Sequence, residues 1–341
     1  MMNKKIILAA VATSFLLVAC GSNPVKKSQA KPDWIVNEPA RGGHAYGVGS
    51  AEVYTNEAEA LQRARDAAKV AMVQKLKVTV TGSFSQDTQE TRHTGKQTKL
   101  TQTVRNTITS SIPQAQFDNL EVQENYVDTV NRVAYSLVHL DRVKATSLIR
   151  RNISELDMEA TDIAAATSTN LSTLKQLQSL LPALTIIEKR EQLADRAQLV
   201  DVNSRRPRKD DLLVAVEKRI QKLLDSLVVT LAPSDQQGKK IRSGLSQYLT
   251  DMGLRISNTQ GDLQLLYGAQ LRSVEKGGRF VVFASGQVQI KDAAGRILSE
   301  FSKEAKGVSG ASSEQAQHNA VENLAENLGK ELAVSLLQKI D

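Results

Sequence analysis

The chain has 341 residues, 41% of them apolar and 24% charged, with 44 basic against 37 acidic side chains and a single cysteine. That composition can bury two or three domain-sized cores and excludes disorder as the main state. It also excludes a multi-pass membrane protein, because the long uncharged apolar run lies at the N-terminus and is too short to span a bilayer.

Lys4 and Lys5 precede an apolar stretch, 6–18, whose 13 residues would rise about 20 Å as a helix, short of a ~30 Å hydrocarbon layer. Positive end, apolar middle and small residues make 1–19 a secretory signal. Its ending, Leu17-Val18-Ala19-Cys20, resembles the lipobox of bacterial lipoproteins. The resemblance implies cleavage after Ala19, a diacylglycerol on the Cys20 thiol and acylation of the new amine. The chemistry fits, since sulfur is the best side-chain nucleophile for such an alkylation and small Ala19 leaves the scissile bond open. Cys20 has no second cysteine to pair with, so lipidation also removes a thiol that would be a liability after export. Two or three acyl chains give stable anchoring. No acidic residue follows directly in Gly21-Ser22-Asn23, whereas lipoproteins kept at the inner membrane usually carry one. The resemblance therefore implies the outer membrane, facing the periplasm. Residues 20–31, with Pro24, Lys26 and Lys27, read as a lipidated flexible tether. Without residues 1–19 the net charge is +5, and export argues against nucleic acid as a partner.

Within 32–141, Pro32-Asp33-Trp34 is followed by a strand at 44–51 and by apolar positions Ala60/Leu61, Ala64, Ala67/Ala68, Ala71/Met72 and Leu76, the spacing of a helix with a slim alanine face. Residues 78–81, Val-Thr-Val-Thr, switch to period two and predict a strand. In 83–112 only Leu100, Val104, Ile108 and Ile112 suggest a helix, against a high threonine content. Segments 117–127 and 130–140 alternate around Asp128-Thr129 and predict a hairpin. Gly47-Val48-Gly49 between strand and helix has the start of a dinucleotide turn, but Glu52 stands where another glycine is needed and would repel phosphate. Backbone crowding explains the glycines better.

Pro32-Asp33-Trp34, Tyr46-Gly47-Val48-Gly49-Ser50-Ala51, the alanine-rich helix with Arg63-Ala64-Arg65-Asp66-Ala67-Ala68 and a strand from Val78 together resemble the start of the twenty-kilodalton lipoprotein (LPP-twenty) family. The resemblance covers about a third of the chain. It implies an outer-membrane lipoprotein with a small α+β domain, in a family that includes disk-forming proteins around flagellar motors. The rest of this chain departs from a minimal member, so the flagellar role does not transfer by itself.

Residues 142–203 have almost no proline or glycine and carry two helical stripes, one through Ala145, Leu148/Ile149, Leu156, Ala160 and Ile163, the other through Leu171, Leu174, Leu177, Leu181, Leu184 and Ile187. Together they predict a helical hairpin, kinked or restarted at Pro182. A basic linker, 204–210, leads to 211–341, where helices at 212–224 and 241–252, a strand at 228–231, three alternating strands at 263–274, 280–290 and 297–305, and a last helix at 314–340 predict a second module. The fold class is α+β: a small N-terminal α+β module, a helical hairpin and a C-terminal α+β module with an antiparallel meander.

The chemistry-bearing residues are sparse. The histidines, His44, His93, His139 and His318, are scattered, so neither a metal site nor a cofactor is expected, and no nucleophile elbow occurs. Glu188, Glu191 and Asp195 share a helix face with cations nearby and read as a solvated ion-pair face. Arg205, Arg206, Arg208 and Lys209 could meet an anionic wall polymer or lipid phosphate, or act only as a solvated hinge. Trp34 and Tyr46 read as core anchors of the first module. The expectation is a non-enzymatic scaffold or envelope-assembly lipoprotein, held to the membrane by its acyl chains and acting through contacts with envelope proteins or further copies of itself. The alternative is binding of peptidoglycan or another anionic envelope polymer.

Overall fold

In the computed structural model the structure describes residues 30–83, 98–112 and 120–338. The signal, Cys20, most of the tether and His93 lie outside the described residues. The architecture is α+β, with two sheets and seven helices among the described residues.

A short 3-10 turn, Asp33–Ile35, buries Trp34 and packs on the first sheet. That sheet is built from β1 (His44–Glu52), β2 (Glu121–Asp128) and β3 (Val133–Asp141), with β3 central and antiparallel to both neighbours. The β2–β3 hairpin is the expected one; the Asp128 carboxylate accepts from the Val130 and Asn131 amides in its turn. Helix α1 (Glu57–Ser83) crosses one face of the sheet. It lies close because a Cβ on Gly47 or Gly49 would fall inside 3.0 Å of the α1 backbone at Ala64 and Ala68. The glycines are there for this approach, as crowding predicts.

Residues 78–81 are not a strand but belong to the last turns of α1. Valine and threonine favour strands, yet extending an existing helix gains a hydrogen bond per residue with no new nucleus, and that outweighs a weak propensity. Helix α2 (Lys99–Ser111) realises the faint four-residue spacing, with Thr98 as its N-cap. It packs away from the first sheet, burying Leu100, Val104 and Ile108 in a core shared with the helical hairpin and the second sheet.

Helix α3 (Arg142–Ala166) starts where β3 ends, capped by Asp141, and returns as α4 (Thr173–Val200), capped by Ser172. The hairpin is closed at its open end by Arg142, which donates to the carbonyls of Val200 and Asp201 at 2.9 and 2.7 Å. Contrary to a restart, α4 runs through Pro182. Leu180, Leu181, Ala183 and Leu184 are buried around it, and that packing offsets the one hydrogen bond proline cannot donate.

The second module comprises α5 (Asp211–Ser226), β4 (Val228–Pro233), α6 (Gln236–Asp251), β5 (Arg255–Ser257), β6 (Leu263–Lys276), β7 (Arg279–Asp292), β8 (Ile297–Ser309) and α7 (Ser313–Gln338). Strands β6, β7 and β8 form the expected antiparallel meander. Two parallel neighbours extend it in the order β5-β4-β6-β7-β8, and β5, at three residues, is too short to announce itself in the sequence. Helices α6 and α7 cover one face of this sheet, whose burial alternates residue by residue along β7.

The seam between α7 and β8 repeats the device of the first module: a Cβ on Gly307 would fall inside 3.0 Å of the backbone at Ala316 and Ala320. At the rim of the sheet, Asn319, Asn323 and Asn327 of α7 donate to the carbonyls of Val308, Lys306 and Glu304 on edge strand β8. The row occupies polar groups that an open edge would offer to another strand.

Candidate functional site

Between the two sheets, α2, α3, α4, α5 and the 204–210 segment converge on a network of ion pairs. Arg105 of α2 holds Glu188 of α4 and, at 3.1 Å, Glu217 of α5. Lys209 joins Glu217 at 2.8 Å and Glu191 at 3.7 Å. Arg206 holds Glu191 at 2.6 Å and Asp195 at 2.9 Å. Arg190, only 1% exposed, bonds Asp157 of α3 at 3.1 Å and Glu191 at 3.0 Å, and donates to the Pro207 and Arg208 carbonyls. Arg219 adds a further tie, donating to the Ala164 and Thr167 carbonyls at the end of α3.

Glu188 and Glu191 are thus not part of a solvated face. The sequence spacing placed them on one side of a helix, but α4 is packed almost all round, and carboxylates there are stable only when paired. Their chemistry diverges. Burial pushes the Glu188 carboxyl up, Arg105 opposes this, and neighbouring Glu217 adds to the rise. Burial pushes Glu191 up as well, but Lys209, Arg206 and Arg190 outweigh it and hold it below the usual range. Asp157 is raised by burial despite Arg190. Arg206 is lowered by burial and raised more strongly by Glu191 and Asp195, with a net rise. The arrangement turns its charges on one another and fixes the angles between the elements that carry them.

The linker cations divide accordingly. Arg206 and Lys209 are half-buried and committed to the network, while Arg205 and Arg208 stand exposed. The four do not form one open basic patch.

The motif residues of the first module sit around β1. Trp34 is buried, as a core anchor should be, and Lys31 stands 5.2 Å from the ring centre of Tyr135 on β3. Tyr46 is half-buried and belongs to a ring cluster instead: it lies 5.3 Å from His139 and 6.4 Å from His44 between ring centres. His44 and His139, 95 residues apart, stack and share a 2.6 Å hydrogen bond between Nδ1 of His44 and Nε2 of His139. Sequence spacing missed this pair; only the β1–β3 register, which sets Tyr46 against His139 and His44 against Asp141, brings it together. Among the described residues no three His, Cys, Asp or Glu side chains are grouped to hold a metal ion, and no helix is long and apolar enough to cross a membrane.

No protein-family model matches the chain, and no curated protein does. Solved structures with partial likeness include bacterial secreted proteins and lipoproteins. The secreted protein HP1454 from Helicobacter pylori shares 13% identity at a TM-score of 0.46, over 86% of this chain and 99% of that one. A minor lipoprotein from Acinetobacter baumannii, 15% identical at 0.27, aligns over 31% of this chain and 92% of its own. Lipoprotein GNA1162 from Neisseria meningitidis, 11% identical at 0.21, covers 33% of this chain and 97% of its own. These chains are too different for the likeness to carry a function across.

Proposed function

We propose that the protein is a non-catalytic outer-membrane lipoprotein of the LPP-twenty kind, anchored through acylated Cys20 and facing the periplasm, that acts as a scaffold for envelope proteins or for copies of itself. The observation that supports the scaffold role is the ion-pair network that ties the helical hairpin to α2, α5 and the 204–210 segment. Buried ion pairs add little net stability over apolar packing, but they tolerate few alternative geometries. A chain that commits Arg105, Asp157, Glu188, Arg190, Glu191, Arg206, Lys209 and Glu217 to one junction fixes the helical hairpin against α2 and α5, while apolar packing of Met72, Leu76 and Leu140 on Ala145, Ile149 and Val200 holds the first sheet to the same hairpin. That is the property a spacer between partners needs. Polymer binding by the linker is the weaker reading, because two of its four cations are already neutralised inside the fold.

In-cell crosslinking of the full chain, followed by detergent extraction and identification of what is attached, tests the role. A stable ring or a specific envelope protein supports the scaffold; a monomer carrying only wall fragments, eluted by salt, replaces it with the polymer reading. Cys20→Ser tests the anchor: acyl labelling and membrane fractionation should both be lost, and unchanged labelling sinks the lipobox assignment.

A further inference from the structure

The face of the meander turned away from α6 and α7 carries an ordered pattern that the scaffold role does not use. Its register sets Val274, Val281 and Val308 side by side across β6, β7 and β8, and on the next rung Arg272, Phe283 and Lys306. Val274, Phe283 and Val308 are each 40% exposed, high for residues of this size on a regular sheet. Arg272 and Lys306 flank the Phe283 ring at 5.1 and 6.0 Å. Beyond the valine rung, the β6–β7 turn at Gly277-Gly278 is bounded by Arg279, also exposed.

An apolar rung beside a cationic rung is what a bilayer interface selects: apolar side chains enter the headgroup boundary while long basic side chains reach phosphates. The charge is available, since no ion pair engages Arg272, Arg279 or Lys306 among the described residues. The charge also argues against a second copy as occupant, because a two-fold axis through Phe283 would bring these cations towards one another, and four partly exposed apolar side chains make a small core for a stable dimer.

We propose that this face, centred on Phe283 with Val274, Val281 and Val308 and rimmed by Arg272, Arg279 and Lys306, is a membrane-contact surface that rests on anionic phospholipid headgroups. The inference deepens the anchored-lipoprotein reading and rests on it for the supply of membrane: twelve residues from Cys20 to Lys31 span at most about 40 Å, which keeps the body near the bilayer. The acyl chains then retain the protein, and this face sets its orientation.

The test uses the unacylated mature chain, from residue 20 with Cys20→Ser, which keeps every described element. Flotation with phosphatidylcholine vesicles is compared with flotation when phosphatidylglycerol is included. Binding is expected only with phosphatidylglycerol, to fall as salt rises, and to drop about tenfold or more in Arg272→Gln/Lys306→Gln and in Phe283→Ser. All three side chains lie on the surface, and thermal unfolding of each variant checks that the fold is retained. Equal binding to both vesicles, or binding that the variants leave unchanged, overturns the proposal. So does sedimentation without lipid that shows a dimer lost in Phe283→Ser, which would make a second copy the occupant. Acyl labelling of the full chain is read in parallel: lost vesicle binding with intact labelling removes this surface alone, and intact vesicle binding with no labelling removes the anchor alone.

Discussion

Where α1 crosses β1 and α7 crosses β8, the elements meet backbone to backbone, with glycine on the strand and alanine on the helix. Where α2, α3, α4 and α5 meet the 204–210 segment, long charged side chains fill the space between them. The seams carry no charge and have no room; the junction has room and fills it with charge. The two regions should therefore fail in opposite ways: a seam fails when an atom is added, the junction when one is removed. The seams hold helix to sheet within each module; the junction fixes the helical hairpin against α2 and α5, and an apolar cluster of Met72, Leu76 and Leu140 with Ala145, Ile149 and Val200 holds the first sheet to that hairpin.

Removing the most buried charge should have the largest effect. Arg190→Met keeps the volume but leaves Asp157 without its cation and the Pro207 and Arg208 carbonyls without their donors. Unfolding in urea should lose about 3–5 kcal/mol, the usual cost of leaving a buried charge unpaired. Arg190→Lys, which keeps the charge but not the planar fork, should recover part of it. A variant as stable as the parent would mean that the junction is dispensable.

The seams answer to the smallest possible addition. Gly49→Ala and Gly307→Ala each push a methyl into helix backbone that cannot rotate away, and about 1–3 kcal/mol should be lost in each. Gly310→Ala, where nothing lies within 4 Å, should leave the midpoint unchanged. The comparison breaks if all three behave alike.

The seam between α1 and β1 was legible in the sequence; the seam at Gly307 and the junction were not. Gly47 and Gly49 before an alanine stripe announce a close helix–sheet contact, because small residues at those positions serve little else. The meander was legible for a similar reason: a sheet covered on one face alternates every second residue. The junction draws on Arg105, Asp157, 188–209 and Glu217, and Arg105 lies 112 residues from Glu217. The spacing of Glu188, Glu191 and Asp195 is the same for a wet face as for a buried one. One signal could have separated them: residues 180–187 of α4 are apolar around most of the helix, so that helix had to be enclosed and its charges paired. The His44–His139 pair was hidden because it depends on strand register alone.

The smallest effect is the most informative, because it separates two carboxylates three residues apart. Glu191 is held below the usual range, so its stabilisation is present above the ordinary glutamate pKa and fades as pH falls through the lowered value. Glu188 is raised, so its contribution is favourable below the ordinary pKa and is lost as pH rises through the raised value. At neutral pH, Glu191→Gln should cost about 1.5 kcal/mol, the lower end for a hydrogen bond to a charged group, because an amide still accepts from one cation. Glu188→Gln should cost less, since burial already disfavours the charge on Glu188 and the amide keeps an acceptor for Arg105. Near pH 4, about the ordinary glutamate pKa, the Glu191→Gln deficit should shrink relative to the parent at the same pH. Urea midpoints at both pH values, read with an unchanged m-value, decide it. If the two variants shift in parallel with pH, the cations do not favour Glu191 over Glu188, and the junction is a general cluster of charge with no division of roles between its carboxylates.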